Sequence, residues 1–284
     1  WAVCTIVGLL VLFVGLVYQT GGPVWDDHVL IVDDLVRRDF RGILDLWTAP
    51  LGDSGPGKGY YRPLSMSVIA LLARGGFWLI HVMTACLHVA SALMLMRLLK
   101  DQRGQVLAGL CFGLHPLVSE VLGWASALPD ALAVCSALAA ILLLRSSMGW
   151  ALVLSLAAVA SKETGLLVLV VLAIGTRQGR KAWACIGVCI LFVLLPRLLL
   201  GVESSFDLAG RLELIPAALT WPLSWLLWPA PLSVVHDLWI APDWVVWFSS
   251  ILILVLLFTG RRSRLALAGV ALCVGAPLLA LVPS

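Results

Sequence analysis

Long apolar runs broken by short polar stretches dominate this chain. Segments at roughly 2–18, 77–97, 128–144, 182–199, 244–259 and 265–282 are nearly free of charge, and about 20 mostly apolar residues suffice for a helix to cross a bilayer. Three further runs, 104–115, 149–160 and 165–175, would each cover only about half the hydrocarbon thickness at about 1.5 Å per residue. The pattern predicts an all-α polytopic membrane protein. Composition agrees: 61% of residues are hydrophobic and 12% charged, about half the charge of an ordinary soluble domain.

Charge decides how the short runs are counted. With the N-terminus in the cytoplasm and every run counted once, nine crossings result, and Arg97, Lys100, Arg103, Arg145, Arg177, Arg180, Lys181, Arg261, Arg262 and Arg264 fall in four short inner loops. That places ten of the 19 basic residues inside, as the positive-inside rule expects, and all 16 acidic residues except Asp101 outside. Fusing 149–175 into one helix would bury Lys162 and Glu163 at mid-membrane and move Arg177, Arg180 and Lys181 outside. In the nine-crossing arrangement His115, Glu120, Lys162 and Glu163 end short helices below the outer surface. Polar groups at that depth need protein or a water-filled cavity around them, so a cavity open to the outside is expected.

The whole of 1–284 reads as one transmembrane domain with two long outer segments. Residues 19–76 form the first outer loop and carry many of the acids. Residues 200–243 mix Trp221, Trp225, Trp228 and Trp239 with Pro216, Pro222, Pro229 and Pro231. Trp favours the membrane interface and repeated Pro limits helix length, so short interfacial helices and a lipid-contact surface are expected there. Seven cysteines are scattered through apolar runs and read as small buried hydrophobes. Gly55-Pro56-Gly57-Lys58-Gly59 lacks the context of a phosphate loop, and no nucleic-acid partner is expected. The chain starts at Trp1 and stops just after an apolar run, which reads as a piece of a longer protein.

Candidate chemistry lies in the outer segments. Asp26 and Asp27 adjoin in Trp25-Asp26-Asp27-His28; neighbouring carboxylates raise one pKa towards neutrality and suit a general base, although a helix cap before an acidic loop would look the same. Glu120, in His115-Pro116-Leu117-Val118-Ser119-Glu120, is an ionisable group at membrane depth and reads as functional. His115 could equally cap a helix, and Asp130, after Pro129, reads first as an N-cap or first-turn acid. In Ser161-Lys162-Glu163-Thr164-Gly165 the ammonium could hold a phosphate, or pair internally with Glu163 or Glu120. Arg62 and Arg197 are further outer cations. His81 and His88 share a helical face and read as core hydrogen-bonding groups. Asp26, Asp27 and Glu120 could share a divalent metal.

Taken in order, Asp26-Asp27, Tyr61-Arg62-Pro63-Leu64, His81 and His88, His115-Pro116 with Glu120 and Asp130, Ser161-Lys162-Glu163-Thr164-Gly165 and Trp228-Pro229-Ala230-Pro231-Leu232-Ser233 resemble the membrane part of the tetratricopeptide-repeat transmembrane O-mannosyltransferases and their bacterial relatives, within the GT-C glycosyltransferases. The chain departs from that pattern at Ala127-Leu128-Pro129, where the family has Gly-Arg-Ala, and at Leu117-Val118-Ser119-Glu120, where it has Val-His-Thr-Glu. The resemblance implies a GT-C helical bundle and an inverting transfer of a mannose-like sugar from a polyprenyl- or dolichyl-phosphate donor to a hydroxyl of a protein or glycan on the outer or lumenal face. It assigns Asp27 as base, Asp26 as its alternate and Glu120 as an acid orienting a sugar. Lys162, Arg62 and Arg197 would hold the phosphate, with Tyr61, His115, Glu163 and Asp130 completing the substrate site. It also implies a C-terminal repeat domain beyond residue 284. Compact loops and the Ala, Leu, Val and Trp bias point to a bacterial cytoplasmic membrane rather than the endoplasmic reticulum. The residues also allow a lipid or anion transporter, or a catalytically silent membrane anchor.

Overall fold

The computed structural model describes residues 2–17, 22–24, 27–50, 61–115, 118–176 and 179–199, and of residues 2–4, 14, 15, 120 and 197 the backbone alone. Asp26, the second outer segment 200–243 and the runs 244–259 and 265–282 lie outside the described residues. All regular structure among the described residues is helical: α1 Ala2–Val17, α2 Phe40–Asp45, α3 Pro63–Gly75, α4 Trp78–Leu98, α5 Gln102–Leu114, α6 Val118–Gly123, α7 Leu128–Leu143, α8 Met148–Ser161, α9 Thr164–Thr176 and α10 Gly179–Leu199. Among the described residues three stretches are long and apolar enough to cross a membrane: Trp78–Leu98, Ala125–Leu143 and Gly179–Pro196.

Local sequence explains where the helices start. Asp101 and Ser147 cap α5 and α8 by accepting from the N–H groups of Gly104 at 2.8 Å and Trp150 at 3.4 Å, which satisfies donors that a helix N-terminus leaves orphaned. Pro63 and Pro129 stand at the first positions of α3 and α7, where a missing N–H costs nothing. Asp130 lies in the first turn of α7, on the favourable side of the helix dipole. Extended backbone at Lys162 separates α8 from α9, so the two short helices are distinct elements.

Among the described residues the apolar contacts form three groups. The largest joins α7, α8, α9 and α10 through Ala137, Ala140, Ala151, Ala158 and Ala173, with Ile141, Leu169 and Ile186 between them; small side chains let helices approach closely where lipid supplies no hydrophobic drive. Val7, Val11 and Met96 join α1 to α4. Gly109 and Gly113 of α5, four residues apart, lie against Val7, Val11 and Met96, a small-xxx-small seam. The third group, including Ile31, Leu35, Ile43, Met66, Ile69, Ile80 and Leu128, caps one end of the bundle.

That cap contains the described part of the expected first outer segment. This part, 27–50 and 61–75, is mostly helical turns and short helices. α3 starts where Ser65 donates to the Ser161 carbonyl at the end of α8, at 2.7 Å, and ends two residues before α4. Both ends of α3 therefore sit at one end of the bundle, and the helix lies across the ends of its neighbours.

The close approach of α9 to α8 requires glycine at position 165. A Cβ there would come 2.5 Å from the Ala158 carbonyl oxygen, whereas one at Gly149 would meet nothing within 4 Å. Gly165→Ala is expected to destabilise the protein by about 1–3 kcal/mol, the usual cost of overpacking, and Gly149→Ala not to. Thermal unfolding in detergent checks this, and equal midpoints for the two variants would contradict it.

Candidate functional site

Two adjacent residues in the α8–α9 turn reach in different directions. The Lys162 ammonium donates to both carboxylate oxygens of Asp130, each at 2.7 Å. Arg62, just before α3, donates from Nε to Glu163 Oε2 at 3.1 Å and from Nη2 to Oε1 at 2.7 Å, a planar fork-to-fork match. The Arg62 and Glu163 side chains keep 14% and 20% of their exposure, and Lys162 and Asp130 keep 23% and 39%. Residues 62, 130, 162 and 163 are thereby gathered at the capped end of the bundle. The internal pair expected for Lys162 exists, but its partner is Asp130, 32 residues away, rather than Glu163.

The environment sets the charge state of Glu163. Burial alone would raise its pKa, but the hydrogen bonds and charge of Arg62, with the charge of Lys162, outweigh burial and hold the carboxyl below its ordinary 4.5. Tyr61 moves the other way: burial raises its phenol, and its hydroxyl donates to the Trp47 carbonyl at 2.9 Å.

Asp27 lies at the same end but is sealed, with no exposed surface. Its Oδ1 accepts from the Ser126 backbone N–H at 2.8 Å and the Ser126 hydroxyl at 2.6 Å, and its Oδ2 accepts from the Val24 N–H at 3.1 Å. Asp27 thus ties the segment after α1 to the turn before α7. Ser126, which the sequence did not mark, is half-buried. It lies in a 3-10 turn, Ala125–Ala127, and no spacing rule connects it to a residue 99 positions earlier.

A cavity of about 290 Å³ opens between α4, α5, α6 and α7, with His88, Phe112, His115, Val121, Asp130 and Val134 among its lining residues. Its walls are mainly apolar, with Asp130 and His115 on the lining. His81 and His88 do act as core hydrogen-bonding groups: His81 Nδ1 lies 3.0 Å from the Leu122 carbonyl and His88 Nε2 lies 3.3 Å from that of Gly113. The backbone of Glu120 is in α6 and that of Arg197 in α10; their side chains, like Asp26, lie outside the described residues. Among the described residues no three His, Cys, Asp or Glu side chains are grouped to hold a metal ion.

The described residues define an all-α bundle containing helices of membrane-spanning length, with paired charges at one end. No family model, curated protein or solved structure matches the chain.

The depressed pKa of Glu163 fixes the sign of a pH effect. Its contribution to stability is complete above the unfolded value and is lost as pH falls through the lower folded value. Glu163→Gln should destabilise by about 1–3 kcal/mol at neutral pH, as for a charged hydrogen bond, and the gap to the parent protein should close in acid. A gap that is independent of pH in unfolding titrations would contradict the assignment.

Proposed function

We propose that this chain is the catalytic membrane part of an inverting GT-C glycosyltransferase that moves a mannose-like hexose from a polyprenyl- or dolichyl-phosphate donor to a hydroxyl of a protein or glycan. The supporting observation is the gathering of Arg62, Lys162, Asp130, Glu163 and the Asp27–Ser126 pair at one end of the bundle, beside a mainly apolar cavity. The opposite ends of the helices carry Arg97, Lys100, Arg103, Arg145, Arg180 and Lys181 in short connections, which under the positive-inside rule supports reading the gathered charges as facing the outer or lumenal side. Nine crossings and a bacterial cytoplasmic membrane belong to the same proposal.

In this reading the cations of Lys162 and Arg62 stabilise the leaving phosphate as its charge develops. The acceptor hydroxyl attacks the anomeric carbon, the carbon–oxygen bond to phosphate breaks, and the acceptor proton is taken up by Asp27. Because Asp27 is sealed, the proton passes through the Ser126 hydroxyl, whose own proton moves to Oδ1. Asp26 is the alternate base, Glu120 orients a sugar, and Arg197 is a further phosphate cation. Tyr61 and His115 complete the substrate site. A carrier for a lipid or anion is the second reading, favoured because both cations already hold carboxylates, as in a closed gate.

Liposomes holding the protein, a polyprenyl-phosphate hexose and a hydroxyl acceptor separate these readings. Transfer of the sugar is expected, with Asp27→Asn slower by about 10²–10⁴-fold, the usual contribution of a general base. Ser126→Ala should be slowed and Ser126→Thr should retain activity. Parent-like rates in both Asp27→Asn and Asp26→Asn would overturn the base assignment, and movement of donor or anion across the bilayer without sugar product would favour the carrier.

A further inference from the structure

The cavity between α4, α5, α6 and α7 is polar at one end and apolar along its walls. Asp130, in the first turn of α7, stands at the polar end. Val134, one turn further along α7, lines the same cavity and continues the Asp130 face inward. His88 and Ser91 line it near the middle of α4, about 15–20 Å from the start of that helix at about 1.5 Å per residue. That is mid-depth in a hydrocarbon core of about 30 Å. The Ser91 hydroxyl and His88 Nε2 are engaged by the Leu87 and Gly113 carbonyls. At about 290 Å³ the cavity is at the small end of ligand pockets, with room for one slender chain.

Its rim faces lipid. Cys111, on the lining, is exposed, and Leu107, one turn earlier on α5, is 64% exposed. The two share a face, the side of α5 turned away from the bundle. A lipid chain enters such an opening sideways from the leaflet. A polypeptide there would leave backbone polar groups unsatisfied.

The carboxylate selects the head of that lipid. Lys162 gives Asp130 one hydrogen bond to each oxygen, and a carboxylate offers about four lone-pair sites, so Asp130 can accept again from a hydroxyl. A phosphate on the cavity side of Asp130 would meet like charge instead. Ser126, the proposed proton route, lies in the turn that leads straight into α7, four positions before Asp130.

We infer that the sugar acceptor is a membrane lipid, its apolar chain in this cavity and its free hydroxyl, on the lipid backbone or on a sugar head, bonded to Asp130. The inference rests on the glycosyltransferase reading and narrows its acceptor hydroxyl to one carried by a lipid. The lipid oxygen bonds to the anomeric carbon as the bond from that carbon to the phosphate oxygen breaks, its electron pair leaving with the phosphate. The hydroxyl proton passes to Ser126, whose own proton goes to Asp27. The products are a glycosylated lipid and polyprenyl phosphate.

Liposomes holding the full chain and a polyprenyl-phosphate hexose are offered dioleoylglycerol, its monoglucosyl derivative and a soluble Ser/Thr peptide. Hexose is expected on at least one lipid, and a diazirine-bearing diacylglycerol is expected to crosslink at the cavity wall. Val134→Trp, with Val121→Trp as its duplicate, should raise KM for the lipid severalfold and suppress the crosslink. An unchanged KM for the donor would show that the variants remain folded. Hexose on the peptide and on neither lipid would overturn the inference and leave the glycosyltransferase reading standing. Hexose on no acceptor would overturn both. Lipid transfer indifferent to both Trp variants, or crosslinks only outside the cavity, would overturn the assignment of the cavity.

Discussion

Opposite charges at Lys162 and Glu163, in a turn between two short apolar helices, must both be neutralised locally, and the rest of the capped end follows from how they are. An unpaired ammonium or carboxylate in such surroundings is costly. Backbone extension at Lys162 sends the two side chains apart, so the pairing uses residues from elsewhere in the chain. Lys162 takes the first-turn acid of α7, and Glu163 takes the guanidinium that precedes α3. Ser65 adds a third tie between α3 and the end of α8. Together these hold α3 across the bundle end, and Gly165 lets α9 begin close enough to α8 for the turn to form.

The same pairing constrains the proposed chemistry. Both cations already hold carboxylates, so a phosphate must compete for them, and the lost pairing is compensated only when the phosphate is well seated. That suits a site in which charge is stabilised most strongly on the leaving group. Asp27 carries a comparable restriction. Three hydrogen bonds to a completely buried carboxylate fix its position well but isolate it, so the proposed proton uptake has to run through the Ser126 hydroxyl.

Much of the helix arrangement was legible in the sequence because uninterrupted apolar runs have few alternatives: α1, α4, α5, α7, α8, α9 and α10 lie at the runs read from hydropathy, and the break at Lys162 was placed by its charge. α3 was missed because Ser65, Ser67 and Arg74 interrupt its apolar positions, although Pro63 at its first position is a start signal. Of the candidate site, Arg62, Lys162, Glu163 and Asp130 were legible as residues but not as pairs. Partner choice depends on helix direction and register, which put Asp130 rather than Glu163 against Lys162. Ser126 carried no signal, since its role depends on a contact spanning 99 positions. The Gly109–Gly113 seam was present in the sequence as a spacing and needed only to be noticed.

The central claim is that the paired charges at this end receive a lipid-linked phosphate. A structure of the protein in lipid with a bound, non-transferable polyprenyl-phosphate hexose tests it most directly. The account predicts the phosphate within hydrogen-bond distance of Lys162 or Arg62 and the sugar beside Ser126 and Asp27. A phosphate bound elsewhere, with the Lys162–Asp130 and Arg62–Glu163 pairs unchanged, would contradict it.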